Sequence, residues 1–128
     1  MHRHYNPNPS GLMVDDCTIR ALCCLEGMAW EEASLGLYFQ SFELRDVQTS
    51  QNTFNAYLKR LGYTKYQIPN TCPDCYTVAD FCNDHPLGRY IVATNTHVVA
   101  IIDGDEYDTW DSGFEIILYY WKKGSGNN

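Results

Sequence analysis

Thr96-His97-Val98-Val99-Ala100-Ile101-Ile102-Asp103-Gly104-Asp105-Glu106-Tyr107-Asp108-Thr109-Trp110-Asp111 reads as a β-hairpin, and the rest of the 128-residue chain is organised around it. Apolar, partly β-branched residues run from Val98 to Ile102, and Asp103-Gly104 supplies residues that tolerate a positive φ. With those two as the loop, Ile102 faces Asp105, Val99 faces Asp108 and His97 faces Trp110. Cross-strand partners share a sheet face and successive residues alternate, so His97, Val99 and Asp108 fall on one face and Asp111 on the other. An imidazole with a carboxylate diagonally opposite is the base and orienter of a nucleophilic site. The nucleophile must come from elsewhere in the chain.

The composition narrows the field. Apolar residues make up 45% of the chain and charged residues 20%, as expected of a globular chain, and the length suits one domain over 1–123 with a flexible tail at 124–128. A net charge of −7 repels phosphate backbones and anionic lipid, and Lys59, Arg60, Lys122 and Lys123 are too few to build a basic groove. Neither nucleic acid nor a membrane is expected as a partner. No apolar run is long enough to span a bilayer, and the first residues lack a signal peptide's apolar core, so a reducing cytoplasm is the expected setting. There the six cysteines are read as thiols or ligands rather than disulfides.

Helices precede strands along the chain. Asp15 and Asp16 are candidate N-caps for a helix through about Glu26, with Ile19, Leu22, Cys23 and Leu25 as its buried stripe. A short helix is expected from Ala29 to about Tyr38, anchored by Trp30, Ala33, Leu35 and Leu37. A third, capped by Thr49 or Ser50, runs to about Leu61, and Tyr63 to Ile68 is an edge strand. Thr77 caps a helical turn through about Asn83. Strands follow at roughly 88–94, 97–102, 106–110 and 114–121. This order predicts an α+β fold, N-terminal helices packed on a C-terminal antiparallel sheet.

Cys17 opens the first predicted helix, where backbone N–H groups and the helix dipole favour a thiolate. A helix-borne Cys against a sheet carrying His97 and then Asp108 is what Cys/His catalysis requires. The plainer role for Cys17 is a small buried hydrophobe. Cys23 and Cys24 lie farther into the helix and are expected to be core or inert.

Asp16-Cys17-Thr18-Ile19-Arg20-Ala21-Leu22, Thr96-His97-Val98-Val99-Ala100 and Tyr107-Asp108-Thr109-Trp110 together resemble the papain-like cysteine peptidase superfamily. The closer likeness is to small bacterial and phage papain-fold proteins, which would set the chain in a host cytoplasm if it is phage-encoded. The resemblance implies a Cys17/His97/Asp108 triad in a thiol hydrolase acting on an amide or isopeptide bond, with no cofactor. Trp110 and Asp111 would support the site, Trp110 by shielding the His–Asp bond. Two departures stand out. No Gln precedes Cys17 as an oxyanion donor, leaving Asn8 or the Cys17 backbone N–H. The chain is also too short for two full lobes, so the substrate would be a protein or peptide terminus, a loop or a small amide, taken by a monomer.

Other readings stay open. The same triad runs transglutamination and deamidation, and the fold also serves non-catalytic binding or inhibitor modules. Cys72, Cys75, Cys82 and His85 have the ligand types of a zinc staple, although the Cys82-x-x-His85 half is tightly spaced. His2 and His4 are expected to lie in a disordered terminus, and Asn8 is equally a turn residue before Pro9.

Overall fold

A computed structural model describes residues 1–69 and 72–124; residues 125–128 of the expected tail lie outside the described residues. The element order is β1 (His2–His4), α1 (Cys17–Glu26), α2 (Trp30–Leu44), α3 (Gln51–Arg60), β2 (Tyr63–Gln67), α4 (Val78–Asp84), β3 (Arg89–Ala93), β4 (Val98–Ile102), β5 (Asp105–Asp108) and β6 (Tyr119–Lys123). This is the α+β class that the order of helices and strands predicted. The strands form a six-stranded sheet in the order β1-β5-β4-β3-β6-β2.

The hairpin closes as its sequence dictates. Asp103 and Gly104 take φ values of 50° and 80°, and Ile102 pairs with Asp105, Ile101 with Glu106 and Ala100 with Tyr107. Alternation along β3 and β4 then feeds two cores. Ile91, Ala93, Val98 and Ala100 pack with Leu22, Leu37, Phe54 and Leu58 from α1, α2 and α3. Val92, Val99 and Ile101 pack on the opposite face with Val78, Phe81 and Cys82 of α4. Burial on both faces explains the near-continuous apolar runs of these central strands.

Local signals account for the helices. Gly27 ends α1 in the left-handed conformation, and the Ser50 side chain caps α3 by accepting from the Thr53 N–H at 3.0 Å. Thr77 and Asp80 form a reciprocal capping box on α4. Gly36 lies inside α2 because α3 approaches there; a Cβ would overlap the Tyr57 ring.

Several expectations are corrected. Residues 2–4 are not disordered: β1 pairs in parallel with β5, His2 beside Glu106 and His4 beside Asp108, so the sheet is mixed rather than antiparallel. α2 continues to Leu44, past the expected end at Tyr38, and Leu35 is exposed rather than an anchor. The last strand starts at Tyr119, not near 114. Residues before it turn instead toward α4, with the Val78 N–H donating to the Glu115 carbonyl and the Ile117 N–H to the Tyr76 carbonyl. Cys72 and Cys75 are joined as a disulfide, against the reading of all six as thiols or ligands. No helix among the described residues is long and apolar enough to cross a membrane.

Candidate active site

The site forms where the first turn of α1 meets the open end of the β4–β5 hairpin. Cys17 is the first residue of α1 and is half-buried. His97 lies just before β4, in a turn fixed by the Thr94 N–H donating to the His97 carbonyl at 2.8 Å. Asp108 ends β5 and is fully buried. His97 Nε2 lies 2.6 Å from Asp108 Oδ2, and the Cys17 side chain interacts with the ring. Since Asp108 takes Nε2, Nδ1 is the ring nitrogen left for the sulfur. The three residues singled out in the sequence are therefore brought together, 80 residues apart in the chain between Cys17 and His97.

Asp108 is held by more than histidine. Arg20 Nη2 donates to Asp108 Oδ1 at 3.0 Å, and its Nη1 donates to Asp16 Oδ1 at 2.5 Å. Trp30 Nε1 donates to Asp16 Oδ2 at 2.8 Å, and the Thr109 N–H to Asp108 Oδ1 at 2.7 Å. Asp16 occupies the N-cap position of α1, but its side chain makes no cap hydrogen bond. The expected cap is instead the counter-ion of Arg20, one helical turn along on the same face. Asp16, Arg20 and Asp108 all have 5% or less of their surface exposed, so the charges must balance within the protein. Two carboxylates and one guanidinium leave a single negative charge, which an imidazolium at His97 cancels.

The titration of His97 and Asp108 follows from that balance. Burial works against a charged ring, yet the bonds to Asp108 and Cys17 prevail and push His97 up to about 9. Burial likewise works against the Asp108 carboxylate, but His97, the Thr109 N–H and Arg20 hold it below the ordinary value. The other free thiols, Cys23, Cys24 and Cys82, are pushed up to about 11, chiefly by burial.

Neighbouring residues divide into those at the site and those away from it. Trp110 stacks on His97, ring centroids 5.2 Å apart, which covers the ring as expected of a shield. Asp111 is not in the triad: it bonds to Glu106, and with His2 these three bring ligand-type atoms within 4.8 Å of one another. Asn8 is held in a turn, its Oδ1 accepting from the Ser10 N–H at 2.8 Å, and it does not line the Cys17 cavity. That cavity is about 190 Å³ and is lined by Asp15, Thr18, Gln51, Asn95 and His97 among others. The zinc set does not assemble among the described residues. Cys72 and Cys75 are bonded to each other, Cys82 is buried with Phe81, and His85 stacks on Phe81.

Sequence reasoning passed over Arg20, Glu106 and Ser112. Ser112 Oγ lies 3.1 Å from both Asp108 Oδ2 and Glu106 Oε2, and its single proton serves one of them at a time. The available signal for Arg20 was its i,i+4 spacing from Asp16 beside the candidate nucleophile. Compared with protein-family models, curated proteins and solved structures, the chain matches none of them.

Proposed function

We propose that the chain is a thiol hydrolase of papain-like design, cleaving an amide or isopeptide bond with Cys17 as nucleophile, His97 as acid and base, and Asp108 as orienter. The observation that carries this reading is the 2.6 Å contact from His97 Nε2 to Asp108, with Cys17 at the start of α1 lining the same cavity as the His97 ring. His97 takes the Cys17 proton, or the two rest as an ion pair, so that the thiolate is available for attack. The sulfur attacks the carbonyl carbon, and the oxyanion is met by the Cys17 N–H, one of the first helical N–H groups that lack an intrahelical acceptor. The carbon–nitrogen bond then breaks as His97 gives its proton to the leaving amine. Water, deprotonated by His97, cleaves the thioester to yield a carboxylic acid and regenerate the pair. Asp108 keeps Nδ1 aimed at the sulfur throughout, and Arg20 keeps Asp108 ionised. The small cavity suits a terminus, a side-chain amide or a small amide better than a long peptide.

Alkylation by iodoacetamide at neutral pH, mapped by mass spectrometry, tests the reading. Rapid modification of Cys17 alone is expected. Because burial by itself slows Cys23, Cys24 and Cys82, the deciding comparison is His97→Ala, in which Cys17 should slow at least tenfold. Sluggish, similar labelling of all free thiols in the unaltered protein would favour a non-catalytic module. Incubation with small amides and peptides, followed by intact mass, then distinguishes outcomes at the acyl-enzyme. Acid release marks hydrolysis, and a new amide formed with an added amine marks transfer.

A further inference from the structure

We propose that the outer face of α2 is the interface of a reversible, two-fold symmetric dimer of this chain, which departs from the monomer expected from the sequence. This does not rest on the catalytic reading.

α2 is covered on one side only. Ala33, Leu37, Gln40 and Ser41 are buried against the neighbouring helices. On the opposite side, Leu35, Tyr38, Phe39 and Phe42 are 52%, 50%, 59% and 61% exposed. Their spacing of i, i+3, i+4 and i+7 places them in one stripe, diametrically opposite the buried one. A helix apolar on both sides is the pattern of one that is covered on both sides. Tyr38 and Phe42 already pack against each other at a tilt, ring centroids 4.9 Å apart, so part of the patch is pre-ordered.

The stripe is complementary to itself. Crossing two copies antiparallel at the midpoint between Tyr38 and Phe39 sets Leu35 against Phe42 of the second copy and Tyr38 against Phe39. Every contact is then made twice, as a two-fold interface requires. The same crossing brings exposed Glu32 at the start of α2 opposite exposed Arg45 just past its end. With ~100 Å² open on each large side chain, the two stripes and their margins bury on the order of 1,000 Å² in all, the lower edge of specific interfaces. Glu31 meets Asp46 in this register, a like-charge contact that keeps the dimer weak. A second copy therefore fits the face in shape and symmetry, with Glu32 and Arg45 as its one favourable charge pair.

Sedimentation equilibrium across a wide concentration range tests the proposal. The unaltered protein should shift from monomer to dimer as concentration rises. Phe42→Glu should remain monomeric throughout, with unchanged far-UV circular dichroism and thermal midpoint because the residue is exposed. Arg45→Glu should weaken the dimer several-fold, and Glu32→Arg combined with Arg45→Glu should restore it, which reports the antiparallel crossing. A protein monomeric at every concentration overturns the proposal, and so does a dimer that survives Phe42→Glu. A dimer broken by Phe42→Glu but not restored by the charge swap overturns the antiparallel arrangement.

Discussion

Glu106 and Asp108 stand two residues apart on β5, on the same face of the strand, each almost without solvent contact and each beside Ser112 Oγ. Burial pushes both upward, yet the outcomes diverge. Asp108 is held below the ordinary carboxylate value because His97, the Thr109 N–H and Arg20 meet its charge. Glu106 is raised to about 7, by burial first and then by Asp111, against the pull of the Ser112 hydroxyl and with the His2 ring 3.3 Å from its Oε1. The difference teaches that compensation rather than depth decides which buried carboxylate stays charged. One stays an anion hydrogen-bonded to His97; the other titrates near neutral pH.

Removing the compensation should break the contrast most severely. Arg20→Met leaves Asp16 and Asp108 buried without their shared cation, and is expected to cost ~3–5 kcal/mol in urea denaturation. Cys17 alkylation should slow in the same variant. A loss under ~1 kcal/mol would mean that the arginine does not hold the carboxylates in place.

The next effect is set by pH. His97 is raised from 6.5 to about 9, so the native protein binds a proton that the unfolded chain releases. Its stabilising contribution is complete below 6.5 and gone once the pH has risen through about 9. Unfolding measured along that interval should show a decline of ~2 kcal/mol that is absent in His97→Gln. A flat difference between the two proteins would show that the ring gains nothing from Asp108 and Cys17.

Glu106→Gln should act with the opposite sign. Raised from 4.5 to about 7, Glu106 costs stability increasingly as the pH climbs through that window, because the native state resists ionisation. The amide cannot ionise, so the variant should gain on the unaltered protein by ~2 kcal/mol between those limits. Equal stability at both ends would place Glu106 in the same class as Asp108.

The hairpin, the register of its two strands and the first residue of α1 were legible because each rests on local chemistry. Asp103-Gly104 fixes the loop, alternation fixes the faces, and Cys17 lies where the apolar periodicity begins. Alternation paired the imidazole with the carboxylate, whereas the thiol of α1, which packs on the other face of β4, reaches them at the open end of the hairpin. What escaped depended on partners far along the chain. Asp16 has the composition of an N-cap, and only its contacts with Arg20 and Trp30 reveal a counter-ion. His2–His4 is too short to announce a strand, and its pairing is with residues about a hundred positions away. Glu106 alternates like any solvated hairpin residue until α4 and β1 are seen to cover it. The far side of α2 was hidden by the same ambiguity: one apolar stripe was enough to predict a helix, while two stripes say that something else lies over it.

The Arg20–Asp108 bridge joins residues 88 positions apart, and His97, the base of the proposed mechanism, arrives with that same hairpin. During synthesis the sulfur emerges from the ribosome long before the groups that would activate it. Under the proposed function, a truncated or half-finished chain would lack His97 and Asp108 beside Cys17, and competence would be acquired only when the sheet closes. In such a design reactivity doubles as a report that folding is complete.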